Sequence, residues 1–289
     1  MKLALGTVQF GLDYSISNTS GQVDPAEVKK ILDYALSVGI NTLDTAQAYG
    51  NAEQVLGGQA TSGQFALISK VSGANSQADT IMPSIDQSLK TLNCEKLDSL
   101  LMHDAASLLQ ADGEAIFAQL EQAKQQGKVS KIGVSVYQPQ ELTELCQRFA
   151  IDRVQLPLNL FDQRFLAADV TDLLTSQQVE AHCRSAFLQG IIFCEPASLP
   201  AFFNPLKSRL QLLTDTAKML SVSPMALCLT MLKRQPFISK IVVGCCSVQQ
   251  LQQVVEAYHQ ADEINPQVDF SAFAVTNTSV INPVNWPAK

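Results

Sequence analysis

Residues 40–57 read Ile-Asn-Thr-Leu-Asp-Thr-Ala-Gln-Ala-Tyr-Gly-Asn-Ala-Glu-Gln-Val-Leu-Gly. A short apolar run, Ile40–Asp44, has strand length and closes on a carboxylate; a polar turn holding Tyr49 and a glycine follows it. The same unit recurs along the chain. Further strands are predicted at Lys2–Gly6, Phe65–Lys70, Leu97–His103, Lys131–Ser135, Arg153–Leu156, Val179–Cys183 and Lys240–Gly244. Segments with helical spacing follow near Pro25–Ser37, Ala78–Leu92, Gly113–Gln126, Pro139–Phe149, Arg164–Ser176, Leu206–Leu220 and Val248–Ala261. Ser223-Pro224 adds a capping hydroxyl before a proline at the first helical position, so a further helix is expected to about Arg234. Eight strand-then-helix units at this spacing favour a parallel sheet closed into a (β/α)8 barrel. No linker or composition shift divides residues 1–289, so the expectation is a single α/β TIM barrel domain. Its longest gap precedes the eighth strand and begins with the Pro-rich loop Glu195–Pro205, placed where barrel loops cover ligands.

Composition narrows the function. Of 289 residues, 46% are hydrophobic and 16% charged, against about 25% charged in an average chain, so a large core is available and disorder is excluded as the main state. Twenty Lys and Arg against 27 Asp and Glu give a net charge of −7, and no basic run exceeds two residues. A broad nucleic-acid or anionic-membrane surface is therefore not expected. No stretch approaches the about 18 apolar residues of a membrane span. Seven cysteines show no CxxC pair and no clustering with His, which suits reduced core thiols of a cytoplasmic protein and no metal site.

Barrel enzymes carry their reactive groups just past the strand ends. Here the second strand ends at Asp44 with Tyr49 five residues on, the third at Lys70 and the fourth at His103. Three successive strands thus deliver a carboxylate, a phenol, an ammonium and an imidazole to one rim. A charge at the end of an apolar strand is costly unless paired, so Asp44 and Lys70 are expected to form an ion pair. A nearby ammonium favours the phenolate, so Lys70 is expected to lower the pKa of Tyr49, the proton donor, while His103 orients the same carbonyl oxygen. Singly, a strand-end lysine is usually a solvated rim charge and a lone histidine a satisfied core residue. Four together, on consecutive strands, favour chemistry.

These residues sit in contexts that resemble the aldo-keto reductase superfamily: Leu-Gly-Thr at 5–7, the 41–57 segment, Ser-Lys at 69–70 and Leu-Asp-Ser-Leu-Leu-Met-His at 97–103. The resemblance continues through Gln-Gly-Lys-Val-Ser-Lys-Ile-Gly-Val-Ser at 126–135 and Val-Gln-Leu-Pro-Leu-Asn-Leu at 154–160. It implies hydride transfer from NADPH or NADH to an aldehyde, ketone or sugar carbonyl, with Tyr49 as general acid and no metal. It places Gly6, Thr7 and Asp44 beside the cofactor and Ser135 and Gln155 at the nicotinamide carboxamide, although Val136 stands where an Asn is usual. Where many members stack an aromatic residue on the nicotinamide, this chain has Arg184. The motif Arg-Ser-x-Phe-Leu-Gln-Gly resembles a bacterial subset, and its guanidinium can stack, reach a substrate carboxylate or phosphate, or form a rim ion pair.

Along the same resemblance, Ser185, Phe187, Leu188, Gln189 and Gly190 would line the pyrophosphate, and the helix N-terminus after the last strand, capped by Ser247, suits phosphate. The adenosine end offers Gly244, Cys245, Cys246, Gln250 and Gln253, all neutral, where NADPH users usually supply Lys or Arg. Real use of NADH is therefore expected. The first strand starts at residue 2, so the hairpin that plugs the barrel floor in many relatives is expected to be absent, with apolar side chains or the C-terminal segment closing the floor. Phe10, Tyr14, Tyr137, Phe161 and Trp286 are candidate pocket walls. The rival reading is a nicotinamide-binding regulatory subunit or redox sensor with little turnover. Partners are expected to be a small carbonyl substrate and, at most, copies of the chain in a small homo-oligomer.

Overall fold

The computed structural model describes the chain except residues 17, 19, 60–62, 73–77, 265–266 and 288–289. Eight parallel strands close into a barrel in chain order: β1 Leu3–Gly6, β2 Thr42–Asp44, β3 Ala66–Val71, β4 Leu97–Met102, β5 Val129–Ser135, β6 Arg153–Pro157, β7 Glu180–Arg184 and β8 Ile238–Gly244. Closure is made by β1 on β8, with Leu3 opposite Ile241 and Gly6 opposite Gly244. The outer layer comprises α1 Pro25–Ser37, α2 Ala52–Gly58, α3 Ile81–Thr91, α4 Gly113–Gln125, α5 Pro139–Arg148, α6 Ala168–Ser176, α7 Lys207–Leu220, α8 Pro224–Lys233 and α9 Val248–Gln260.

The local causes are legible in the residues. In α1 the Asp24 carboxylate accepts from the Ala26 N–H at 2.8 Å, Pro25 takes the first position, and Val28, Ile31, Leu32 and Ala35 form the buried stripe. Ser223 caps α8 through the Ala226 N–H and Ser247 caps α9 through the Gln250 N–H. The strands bury both faces, inward against the barrel and outward against the helices, and so read as apolar runs.

Two glycines fix the turn that carries Tyr49. A Cβ on Gly11 would lie 1.8 Å from the Tyr49 carbonyl oxygen, and one on Gly50, at φ +58°, would lie 2.3 Å from the Gly11 carbonyl oxygen. The β1 and β2 loops meet backbone to backbone, and only glycine permits it.

The floor differs from expectation. Its centre is ionic: Arg153, buried at the start of β6, pairs with Asp98 at 2.5 Å and with Glu180 at 2.8 Å, and Lys131 pairs with the same Glu180. The C-terminal segment instead packs at the other end. There Val275 donates to the Phe161 carbonyl, just past β6, and Gln163 donates to that of Phe270. Charged residues at or near the starts of β4 to β7, Asp98, Lys131, Arg153 and Glu180, neutralise one another there, and the described part of the tail packs elsewhere. The short helices Val8–Gly11, α2 and Ala106–Leu109 were also not anticipated, and the expected loop Glu195–Pro205 contains 3-10 turns at Pro196–Ser198 and Ala201–Leu206.

Candidate active site

A cavity of about 630 Å³ opens at the C-terminal rim of the barrel. It is lined by Gly6 and Thr7 after β1, Asp44 and Tyr49 from β2 and its loop, His103, Ser135, Gln155, and Arg184, Ser185, Phe187, Gln189 and Gly190 from β7 onward. Gly244, Cys245, Cys246, Gln250 and Gln253 line its β8–α9 end. Of the catalytic and cofactor residues singled out in the sequence, Lys70, Leu188 and Ser247 lie outside this lining, Lys70 as a support behind it, Leu188 buried in the core and Ser247 as the α9 cap.

Lys70 is 1% exposed, and its ammonium has three N–H groups to place. It donates to Asp44 Oδ1 at 2.6 Å, to the Thr45 carbonyl at 3.0 Å and to the Tyr49 hydroxyl oxygen at 3.3 Å. Burial pulls Lys70 down, but the Asp44 charge, Tyr49 and these bonds outweigh it, and its pKa is raised. Asp44 is held from its other side by Gln155, whose amide donates to Oδ2 at 2.6 Å. Thr7 N–H and Oγ1 both donate to the Asp44 carbonyl at 3.0 Å, locking the carboxylate's backbone.

Tyr49 corrects one expectation. Its pKa is raised: burial dominates, and the Lys70 charge offsets only part of it. The phenol therefore keeps its proton through the neutral range. His103 packs edge-on to Tyr49 with ring centroids 5.7 Å apart. Burial first and then Lys70 lower its pKa to about 4, so the ring is a neutral hydrogen-bonding group. Tyr14, also on the wall, is pushed up to about 12, chiefly by burial.

Tyr14 and Tyr137 line the cavity, as expected for pocket walls. Phe10 and Phe161 are fully buried core residues, and Trp286 packs on Phe203 and donates to the Val280 carbonyl. Of the readings open to Arg184, the rim ion pair is not formed with any described carboxylate. Its guanidinium lies 4.1 Å from the Tyr137 ring centre.

Several features suit a dinucleotide. The cavity falls in the size range of small-molecule sites. The backbone turns through positive φ at Ser185, Leu188, Gln189 and Gly190, a path that presents peptide groups to an anion. The side-chain carbonyl oxygen of Gln9, which also lines the cavity, is buried and lacks a partner, and a Cβ on Gly244 would lie 2.7 Å from that amide. The α9 N-terminus, by contrast, already has one of its donors engaged by an acidic side chain. Its Val248 N–H donates to the Glu27 carboxylate of α1 at 2.9 Å. That bond, with Lys30, holds Glu27 below the usual carboxylate range. Glu27 and Gln9 escaped the sequence reading; Gln9 follows a strand end and was open to the same rule, whereas Glu27 meets α9 across 221 residues of chain.

A closed parallel barrel with a buried Asp-Lys pair behind a tyrosine and a neutral histidine defines a (β/α)8 oxidoreductase. The chain belongs to the aldo/keto reductase family, whose model matches residues 2–267, and it is accordingly an NAD(P)H-dependent oxidoreductase of carbonyl chemistry. It is 23% identical over 252 residues to the uncharacterized oxidoreductase YqkF of Bacillus subtilis, covering 78% of this chain and 80% of that one. It is 24% identical to L-galactose dehydrogenase of Arabidopsis thaliana over 99% of this chain and 94% of the relative. The holo form of aldo-keto reductase AKR11C1 from Bacillus halodurans superposes with a TM-score of 0.75 at 20% identity, covering 95% and 92% of the two chains. No helix among the described residues is long and apolar enough to cross a membrane.

Proposed function

We propose that this protein reduces the carbonyl group of a small aldehyde, ketone or sugar, with Tyr49 as the general acid. When bound, NADH or NADPH supplies the hydride. Ser135 and Gln155 would meet the carboxamide, with Gly6, Thr7 and Asp44 close by. Ser185, Phe187, Gln189 and Gly190 would follow the pyrophosphate, and Gly244, Cys245, Cys246, Gln250 and Gln253 the adenosine, with Ser247 shaping the turn beside it. The observation that carries the reading is the Lys70 ammonium. Its three N–H groups go to Asp44, Thr45 and the Tyr49 oxygen, so the phenol's own O–H is left to donate to a carbonyl oxygen. As that proton leaves, negative charge grows on a phenolate oxygen already facing an ammonium held by Asp44. Neutral His103 donates a second hydrogen bond to the same oxygen and orients it.

Turnover is favoured over a sensing role because burying this charged set costs stability that nicotinamide binding alone would not require. Seven unpaired cysteines support a cytoplasmic setting, and we take the working unit to be a monomer or small homo-oligomer. The identity of the L-galactose dehydrogenase relative makes sugar aldehydes and lactols early candidates.

The test is Tyr49→Phe, assayed over aldehydes, ketones and sugars with both reduced cofactors. The variant is expected to bind cofactor with near-parental affinity and to lose roughly 10²–10⁴-fold in kcat. Equal rates in variant and parent would overturn the assignment of the acid.

A further inference from the structure

The guanidinium of Arg184 is the one full charge on the cavity lining, among the described residues, that no opposite charge of the protein neutralises. Asp44, the other ionised group there, is committed to Lys70 at 2.6 Å. Buried Arg153 pairs with two carboxylates, and Arg164 grips Asp162 through two nitrogens. Arg184 instead makes neutral contacts: Nη2 donates to the Val136 carbonyl at 3.1 Å, Nε to Ser135 Oγ at 3.4 Å and Nη1 to Ser185 Oγ at 3.4 Å. A guanidinium has five N–H donors, and two of these three bonds are long. Donor capacity and charge are therefore both left over.

The group is also fixed in place. The Tyr137 ring backs it at 4.1 Å, and its bonds to Ser135 and the Val136 carbonyl draw it across β6 toward the end of β5, away from the β8–α9 end of the cavity. There it is close enough for its charge to act on both Tyr49 and His103. A planar, backed guanidinium with N–H groups still uncommitted is matched by an oxyanion that accepts charge-assisted hydrogen bonds. Such a partner must come from outside the chain, and the side of the cavity in question is that of the acid.

We propose that Arg184 anchors an oxyanion carried by the substrate, a carboxylate or a phosphate ester, and so makes anionic carbonyl compounds the preferred substrate class. This rests on the carbonyl reduction proposed above. The binding charge would be paid for in the complex by the substrate's own, which turns an unneutralised cation into a selectivity device.

The experiment compares matched carbonyl pairs on the parent and on Arg184→Gln and Arg184→Lys. Suitable pairs are benzaldehyde with 4-formylbenzoate, butanal with succinic semialdehyde, and glyceraldehyde with glyceraldehyde 3-phosphate. In the parent, kcat/KM is expected to favour an anionic member over its neutral mate by tenfold or more, the carboxylate and phosphate arms showing which oxyanion fits. In Arg184→Gln that ratio is expected to fall to near one, whatever happens to absolute rate, with Arg184→Lys between. Binding of 4-formylbenzoate to the cofactor-loaded protein, read by calorimetry, is expected to weaken at least tenfold in Arg184→Gln. A parent ratio near one, or a ratio and a binding constant unchanged in Arg184→Gln, overturns the anion anchor while leaving carbonyl reduction intact. A parent that reduces no carbonyl with either cofactor overturns the reading of function instead, and the calorimetric arm still decides whether Arg184 holds the anion.

Discussion

Tyr49 and His103 have pKa values moved by the same cause in opposite directions, and this sets how activity should follow pH. Burial penalises whichever form is charged: it raises the phenol and lowers the imidazole to about 4. Tyr49 is thus protonated and His103 neutral from above about pH 4 through the neutral range. The expected kcat/KM profile is flat from roughly pH 5 to 9, with an acid limb as His103 charges near its folded value. A limb centred near pH 6.5 would show that His103 titrates as an exposed imidazole. The four residues were legible in the sequence because strand ends deliver side chains to one rim. The sign of the Tyr49 shift was not, because an ammonium at the end of the neighbouring strand is visible in a sequence while the depth of the hydroxyl is a property of the packed wall.

At the scale of elements, α1 and α9 are coupled through one bond, Val248 N–H to Glu27. The carboxylate takes the Val248 N–H at the start of α9 and adds a negative charge beside Cys245, Cys246 and Gln250, which is expected to disfavour a ribose carrying a 2′-phosphate. Lys30, 3.1 Å from Glu27 and exposed, offsets only part of that charge. We expect NADH to bind at least comparably to NADPH. Glu27→Gln keeps an acceptor for Val248 but removes the charge, and is expected to shift the ratio of dissociation constants toward NADPH by roughly fivefold, about 1 kcal/mol. A parent preference for NADPH of roughly a hundredfold, about 2.7 kcal/mol, or an unchanged ratio in Glu27→Gln, sinks the idea. The eight strands and the long helices could be read beforehand because parallel strands buried on both faces run apolar and the helices carry 3.6-residue stripes. Helix α2 could not: it has only seven residues, and its Glu53 turns inward to accept from Ser69 and Ser88, which breaks the apolar pattern. A contact such as Glu27 with Val248 lies beyond any local pattern.

Across the whole molecule, the barrel holds charge at both ends of its axis, the Asp44–Lys70 pair under the rim and the Arg153–Glu180 network at the floor. The floor ties β4, β5, β6 and β7 together through Asp98, Lys131, Arg153 and Glu180, and His182 joins it by its Nε2 contact of 3.2 Å with Glu180. A carboxylate only accepts, so Nε2 carries the proton, and Nδ1 is left buried without a partner. Burial, outweighing Glu180, lowers the His182 pKa, while the bonds from His182, Lys131 and Arg153 carry Glu180 far below the carboxylate range. Both shifts act on stability with the same sign. The unfolded chain takes up a proton on His182 near pH 6.5 and on Glu180 near pH 4.5, where the folded chain does not, so their contribution is full above those values and is lost as pH falls. His103 adds to the first phase. Folding free energy is therefore expected to decline from about pH 6.5 and more steeply below about pH 4.5, each group adding at most about 1.4 kcal/mol per pH unit. Urea unfolding between pH 7 and 5 gives the slope directly. His182→Gln is expected to lower stability at every pH but to reduce the slope in that interval to about the part His103 supplies; an undiminished slope would mean that the floor histidine is not what acid attacks first.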